Sequence, residues 1–173
     1  MAENSKHLWL EEAMARYEVS LLRVCFACLG DAALAEDALQ ETFLKAWKAY
    51  DRFRWDADDK TWLTRIAINT CRNMRKTAWY CRTVSVQDPE QMLEASRALP
   101  SSSDLLRDDS ITLAVLALPI SLREAVLLRW YQGYSGEEAA RALGIPRSTL
   151  YYRLRRAQQL LKKDLEDWYY ETE

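Results

Sequence analysis

The sequence predicts an all-α protein made of two small helical domains that are joined by a flexible linker. Apolar residues recur at spacings of three and four along most of the 173 residues, which is the period of a helix and not of a strand. Residues 84–110 differ, with two prolines, a serine run, few apolar residues and excess acid, a composition typical of a linker. The predicted domains are therefore residues 1–83 and 111–173, with short helical turns around 90–98.

Three helices are predicted in the first domain. The first covers residues 8–29, and the second follows Asp31 as its N-cap and ends near Tyr50. Residues 51–60 break the helical period and are predicted to form a loop. A third helix is predicted over residues 61–80, and its polar face carries Arg65, Asn69, Arg72 and Lys76.

The helices of the second domain are predicted from turn residues and capping patterns. Pro119 and Gly133 are predicted to end two successive helices. A serine followed three residues later by glutamate is the capping-box pattern at a helix start. It occurs twice here, at Ser121 with Glu124 and at Ser135 with Glu138.

Residues 134–163 have the pattern of a helix-turn-helix. Two helical stretches flank the turn Leu143–Pro146, and no acid occurs between Glu138 and Asp164. An ordinary solvated helix mixes both signs of charge, so an acid-free face favours contact with nucleic acid. The helical wheel buries Leu150, Leu154, Ala157 and Leu161, and it exposes Ser148, Thr149, Tyr152, Arg155, Arg156 and Gln159.

A second basic stretch combines cations with aromatic rings. No acid occurs between Asp59 and Asp88, although the net charge of the whole chain is −2. Rings offer stacking platforms for unpaired bases and cations follow the backbone, so the stretch favours single-stranded or melted nucleic acid. The alternative is that Phe53 and Trp62 belong to the core. The residues concerned are Arg52, Phe53, Arg54, Trp55, Trp62, Trp79 and Tyr80.

Cys25 and Cys28 form a C-x-x-C pattern, which raises the alternative of a zinc or redox site. Both cysteines share a helical stripe with apolar residues, and no second C-x-x-C follows, so we predict core positions and no metal site. The sequence also lacks a nucleophile–base arrangement and a phosphate-binding glycine loop, so we expect neither enzymatic activity nor a cofactor. Without a signal peptide or membrane-spanning run, we expect a cytoplasmic protein without membrane insertion.

Three segments together resemble bacterial sigma factors of the sigma-70 family. Residues 31–47, with Glu-Asp-x-x-Gln-Glu-Thr-Phe, resemble the second conserved region of those proteins. Residues 53–69, with Thr-Trp-Leu-x-Arg-Ile-Ala, resemble the promoter-melting stretch, and residues 118–163 resemble the fourth region. A short chain with these two domains and a linker resembles the extracytoplasmic-function (ECF) group.

The resemblance implies core RNA polymerase and promoter DNA as partners. The second-region helix would dock on the β′ clamp helices through Asp37, Gln40, Glu41 and Lys45, and the fourth region would meet the β flap. The melted −10 element would contact Arg52, Phe53, Arg54, Trp55, Lys60, Trp62, Arg65, Asn69, Arg72 and Lys76. The −35 element would contact Arg147, Ser148, Thr149, Tyr151, Tyr152, Arg155 and Arg156. An anti-sigma factor is a further partner that the resemblance allows.

Two features depart from the pattern of the family. The loop Trp55–Asp59 is acidic for a segment beside DNA, and Tyr151 and Tyr152 stand where a basic residue followed by serine is common. Both departures bear on which promoter is bound. Two other functions stay open, a stand-alone helix-turn-helix regulator and an interaction protein that holds polymerase without binding specific DNA.

Overall fold

The computed structural model describes residues 2–54, 58–77, 80, 88–97, 99 and 109–171. Within these ranges the chain is helical and contains no strand, which confirms the predicted all-α class. None of the helices in the described ranges is long and apolar enough to cross a membrane.

In the described residues of the first domain, three helices pack against one another. They are α1 (Ala2–Leu29), α2 (Ala32–Ala49) and α3 (Asp59–Arg75). Helix α1 begins earlier than predicted and α3 ends earlier, at Arg75. Asp31 caps α2 as predicted, because its carboxylate accepts a hydrogen bond from the Leu34 N–H at 2.9 Å.

The core of the first domain contains both cysteines of the C-x-x-C pattern. Cys25 and Cys28 of α1 are fully buried with Cys71 of α3, which confirms their predicted core positions. They lie among the buried side chains Leu21, Leu29, Leu63 and Ile68, and the described part of the chain contains no cluster of three or more potential metal ligands.

A short linker helix and four further helices follow. Helix α4 (Pro89–Arg97) confirms the helical turns predicted in the linker. The second domain contains α5 (Asp109–Leu116), α6 (Ile120–Val126), which continues as a π-helical turn over Leu127–Tyr131, α7 (Gly136–Leu143) and α8 (Arg147–Glu171). Helices α7 and α8 form the predicted helix-turn-helix.

One of the two predicted capping boxes forms. At α7 the Ser135 hydroxyl accepts from the Glu138 N–H at 3.1 Å, and the Glu138 carboxylate accepts from the Ser135 N–H at 2.8 Å. The box predicted at Ser121 was wrong, because α6 begins at Ile120 with Pro119 as its N-cap. Glu124 is buried and turns toward the first domain instead of capping the helix.

The two domains contact each other along two pairs of helices. Helix α7 packs on α3, and α6 packs on α1. Polar groups also cross this boundary. The buried Arg123 guanidinium donates to the Ala27 carbonyl at 2.8 Å, and half-buried Gln132 donates to the Ser20 carbonyl at 2.9 Å. These contacts hold the helix-turn-helix in one position relative to the first domain.

Candidate nucleic-acid interface

The turn of the helix-turn-helix depends on one glycine. Gly144 adopts a left-handed backbone with φ 67° and ψ 35°, a conformation that costs L side chains free energy, and it ends α7. The Ile145 N–H closes the cap on the Ala140 carbonyl at 3.0 Å. Pro146 then leads directly into α8, where its carbonyl accepts from the Leu150 N–H at 3.1 Å. The two helices are thereby held at a fixed crossing.

Helix α8 presents the polar face that the helical wheel predicts. Leu150, Leu154 and Ala157 are buried, whereas Tyr152 on the opposite face is 67% exposed. Thr149 is half-buried. The exposed set is Arg147, Ser148, Tyr151, Tyr152, Arg155, Arg156 and Gln159. These hydroxyls, guanidiniums and amide are the groups that bind phosphates and base edges in the major groove.

Tyr151 has a different environment from Tyr152. A side chain added at Gly136, the first residue of α7, would collide with the Tyr151 hydroxyl and ring, so the ring lies directly against the start of that helix. Tyr151 therefore contacts α7 within the helix-turn-helix, and Tyr152 is the freer of the two tyrosines. The sequence gives no sign of this difference, since it depends on a contact between two helices.

The aromatic residues near α3 are more buried than the prediction of stacking platforms requires. Phe53 is 8% exposed and stacks on Trp62, with ring centroids 4.3 Å apart and an interplanar angle of 21°. Trp9 lies on Trp62 in turn, with ring centroids 5.9 Å apart. Phe53 is therefore a core residue, which is the alternative that the sequence left open. Arg52 and Arg54 beside it are exposed.

The remaining aromatic predictions divide in the same way. Tyr80 is buried and donates a hydrogen bond to the Leu29 carbonyl at 3.1 Å, so it is also a core residue. Trp55 and Trp79 lie outside the residues that the structure describes. Among the rings that were predicted to stack on bases and that the structure describes, half-buried Trp62 alone has partial access to solvent.

The polar face of α3 is only partly free. Arg65, Asn69 and Lys76 are exposed, as predicted. Lys60 is half-buried, and its ammonium lies 4.5 Å from the centre of the Tyr134 ring, at a distance typical of a cation–π contact. Arg72 was predicted to be exposed, and this was wrong. Its guanidinium reaches the second domain and pairs with Glu124 at 3.3 Å.

Glu124 is the centre of a polar cluster between the domains. Its carboxylate is 3% exposed and accepts from Arg72 at 3.3 Å and from Arg75 at 3.4 Å. The Cys28 thiol also donates to it, at 3.5 Å. Hydrogen bonding to Cys71 and then burial raise the pKa of the Cys28 thiol well above its usual range, so it stays protonated as a donor. The sequence analysis did not assign Arg75 or Glu124 to a functional site, because their partners are distant from them in the chain.

Arg123, next to Glu124, is a second buried charge at the boundary. Its guanidinium donates to the Ala27 carbonyl at 2.8 Å and to the Leu118 carbonyl at 3.1 Å. Burial lowers the pKa of Arg123, since the charged form loses hydration. The carbonyl of Ala27 belongs to the last turn of α1, where backbone carbonyls lack partners within the helix.

The exposed face of α2 contains the predicted polymerase-binding residues. Asp37, Gln40 and Glu41 are exposed, and Lys45 is half-buried between Glu41 at 3.9 Å and the Thr70 hydroxyl at 3.2 Å. Leu44 lies between these residues in the sequence and is 47% exposed. The sequence prediction did not include this exposed apolar side chain among the polar groups of the face.

Comparison with known proteins gives matches over both domains. Residues 13–80 match the family described as Sigma-70 region 2, and residues 108–161 match Sigma-70, region 4. The RNA polymerase sigma-H factor of Pseudomonas aeruginosa is 33% identical over 161 residues, which cover 87% of this chain and 83% of that protein. The ECF RNA polymerase sigma factor SigW of Bacillus subtilis is 29% identical over 160 residues, covering 87% and 86%.

Solved structures show the same architecture. CnrH in complex with the cytosolic domain of CnrY aligns with a TM-score of 0.66 and 25% identity, over 91% of this chain and 88% of that chain. The sigma factor RpoE in complex with the anti-sigma factor NepR, from Bartonella quintana, aligns with a TM-score of 0.63 and 23% identity, over 90% and 96%. The RpoE likeness supports the fold alone.

Proposed function

Because the chain belongs to the sigma-70 family of RNA polymerase sigma factors, in the ECF group, we propose that it directs core polymerase to promoters through two DNA contacts. Helix α8 binds the −35 element, and α3 with the loop before it binds the melted −10 element. The observation that carries this proposal is the acid-free, solvent-facing surface of α8 over residues 147–163. The chain itself performs no covalent chemistry, and it works where polymerase works, in the cytoplasm.

The −35 contact rests on the exposed side chains of α8. Arg155 and Arg156 provide guanidiniums that can bind guanine edges or phosphates, and Tyr152 adds an exposed ring and hydroxyl. Ser148 and Arg147 lie at the start of the helix, the end that enters the major groove in helix-turn-helix proteins. Tyr151 contributes mainly by its contact with α7.

The −10 contact rests on cations more than on rings. Arg52, Arg54, Arg65 and Lys76 are exposed and Asn69 lies among them, so a single strand can follow this surface. Trp62 offers a partly accessible ring for an unstacked base. Because Phe53 is buried, we leave it out of the proposed contact.

The polymerase contact rests on the exposed face of α2. Asp37, Gln40 and Glu41 supply polar groups around Leu44, which supplies apolar area at the centre of a helix-on-helix contact. We propose the β′ clamp helices as the partner of this face and the β flap as the partner of the second domain. On polymerase the two DNA contacts would be held at a fixed spacing, so the second contact becomes effectively intramolecular.

Substitution of Arg155 and Arg156 by Ala tests the −35 contact. We expect promoter-specific transcription by core polymerase with this protein to fall at least tenfold, because two charge-assisted contacts are each worth about 1–3 kcal/mol. Transcripts from a genomic library, sequenced at their 5′ ends, measure the effect. Arg141→Ala is the matched control, since Arg141 is an exposed cation of α7 that pairs with Glu137 at 2.9 Å.

The same experiment separates the other two functions. Unchanged promoter-specific transcription by the Arg155 and Arg156 variant would favour an interaction protein that holds polymerase without binding specific DNA. A stand-alone regulator would bind its site tightly without polymerase. Family membership argues against a stand-alone regulator. The basic face of α3 also argues against it, because a stand-alone regulator would not need that face.

A further inference from the structure

We propose that Arg72 and Arg75 form a phosphate-binding site on α3, and that Glu124 of the second domain fills this site while the two domains are packed together. The packed form is then closed to the promoter strand, and a backbone phosphate replaces Glu124 when the domains separate. The proposal rests on the proposed −10 contact of α3, and it adds Arg75 to that contact.

The geometry of the cluster is that of an anion site. Two guanidiniums converge on one carboxylate, Arg72 at 3.3 Å and Arg75 at 3.4 Å. Arg75 is oriented by a second hydrogen bond to the Cys28 carbonyl, at 2.9 Å, within its own domain. Guanidiniums bind carboxylates and phosphates with the same fork of donors, so a site that holds Glu124 also suits a phosphate.

The cleft beside the cluster has an excess of positive charge. It has a volume of about 400 Å³, and the described residues that line it include Arg72, Arg75 and Arg153 but a single acid, Glu124. The charged groups that line the cleft therefore sum to a net charge of +2. Nη1 of Arg153, on α8, is buried and has no hydrogen-bond partner among the residues that the structure describes. A nucleic-acid backbone that approaches this cleft would meet a positive electrostatic potential.

Further contacts show how the second domain covers this part of α3. Helix α7 packs on α3, and the Tyr134 hydroxyl lies 2.7 Å from the Thr64 hydroxyl. Lys60 is held over the Tyr134 ring, and Arg72 also donates to the Leu143 carbonyl at 3.1 Å. Lys60 and Arg72, two of the cations that the sequence predicts for the −10 contact, are thus engaged by the second domain in the packed form.

Exchange of Glu124 for a phosphate is feasible because the arginines keep an anionic partner throughout. Removing one partner of a buried ion pair leaves an uncompensated charge, which is costly. Replacing the carboxylate by a phosphate avoids this cost, and Glu124 becomes hydrated when the second domain moves away. Binding of the strand and separation of the domains are therefore coupled.

Glu124→Gln tests the proposal in the full chain. The amide keeps the size of the side chain but removes its charge, so it competes less well for the arginines. We expect a fluorescently labelled 20-nucleotide oligo-dT to bind the Glu124→Gln variant at least about fivefold more tightly than it binds the wild type. This factor corresponds to a modest coupling between two sites. Small-angle X-ray scattering of the free protein should show a larger radius of gyration.

Glu137→Gln is the matched control, because Glu137 also pairs with an arginine, at 2.9 Å, but on the exposed surface of α7. It changes the net charge equally. If both variants bind oligo-dT alike, a general charge effect explains the result and the proposal is overturned. An unchanged radius of gyration for Glu124→Gln would overturn the closed form.

Arg75→Gln and Tyr134→Phe separate the site from the closing contact. Arg75→Gln should weaken oligo-dT binding although it also loosens the domains, whereas Arg97→Gln on α4 should not. Tyr134→Phe keeps the whole cluster and removes only the hydrogen bond to Thr64, so it should strengthen binding even if Glu124→Gln fails to fold. Weaker binding by Tyr134→Phe, or unchanged binding by Arg75→Gln, would contradict the proposal.

These measurements use no polymerase, so they can fail independently of the proposed function. A wild-type protein that gives no promoter-specific transcript, with Glu124→Gln binding oligo-dT more tightly, would disprove the function and leave the anion site standing. Normal transcription with no difference between the Glu124 and Glu137 variants would do the reverse.

Discussion

Tyr134 shows how much a single side chain contributes at the domain boundary. It is a buried residue just before α7, with its hydroxyl 2.7 Å from Thr64 and its ring under the ammonium of Lys60. Burial raises the pKa of Tyr134 to about 12, and the hydrogen bond between the Tyr134 and Thr64 hydroxyls opposes this only in part. The neutral phenol is therefore the form that the packed structure accepts.

A pH dependence of stability follows from this pKa. The folded-state pKa lies above the ordinary value of 10.0, so the contribution of Tyr134 is complete below pH 10 and is lost as the pH rises toward about 12. The free energy of unfolding of the wild type, from urea titrations followed by circular dichroism, should fall more steeply over this interval than that of Tyr134→Phe. Parallel curves for the two proteins would contradict the assignment.

At the scale of elements, local patterns correctly predicted the start of a helix where the capping residue and its hydrogen-bond partner lie within one helical turn. The Asp31 cap and the Ser135 box both formed, since each joins residues three positions apart. The box predicted at Ser121 did not form, although its pattern is the same. Glu124 found two guanidiniums in α3, and charge-assisted bonds to these exceed a cap bond in strength.

The exposed face of α2 gives a prediction at this scale. Leu44→Asp should weaken binding to core polymerase at least tenfold, which corresponds to about 1.4 kcal/mol, because it places a charge at the centre of the proposed contact. Surface plasmon resonance with immobilised core enzyme measures the affinity. Met14→Asp is the matched control, because Met14 is an apolar residue of α1 that is 40% exposed. Equal losses for both variants would contradict docking through α2.

At the scale of the whole molecule, the two domains form one packed unit. The bonds from buried Arg123 to Ala27 and from half-buried Gln132 to Ser20 span 96 and 112 positions of the chain. Buried apolar residues of both domains also belong to one cluster, so polar and apolar contacts act together at this boundary.

A double-mutant cycle across the boundary tests this coupling. Thr64→Val alone should destabilise the protein by about 1–3 kcal/mol, because it leaves the buried Tyr134 hydroxyl without its partner. The double variant with Tyr134→Phe should cost clearly less than the sum of the two single changes, since it removes both polar groups. Urea unfolding measures all four proteins. Strict additivity would show that the two hydroxyls do not interact.

The sequence by itself determined the helical class, the helix-turn-helix and the family, and it predicted the two domains. Each of these depends on patterns that repeat within a few residues, such as the spacing of Leu150, Leu154 and Ala157 or the Ser135 box. Three of the four residues predicted for the buried face of α8 are buried for this reason, and the fourth, Leu161, is half-buried. The assignment of individual side chains to DNA and polymerase remains a proposal.

Only the tertiary structure decided which polar side chains stay available. Arg72 and Arg75 meet a carboxylate 52 and 49 positions away, and no local pattern encodes such a pair. Phe53 is buried and stacks on Trp62 of α3, and the ring of Tyr151 lies against Gly136. Hydrophobic burial and ion pairing act on distances in space, so the partners of these residues follow from the packing of helices and not from their spacing in the chain.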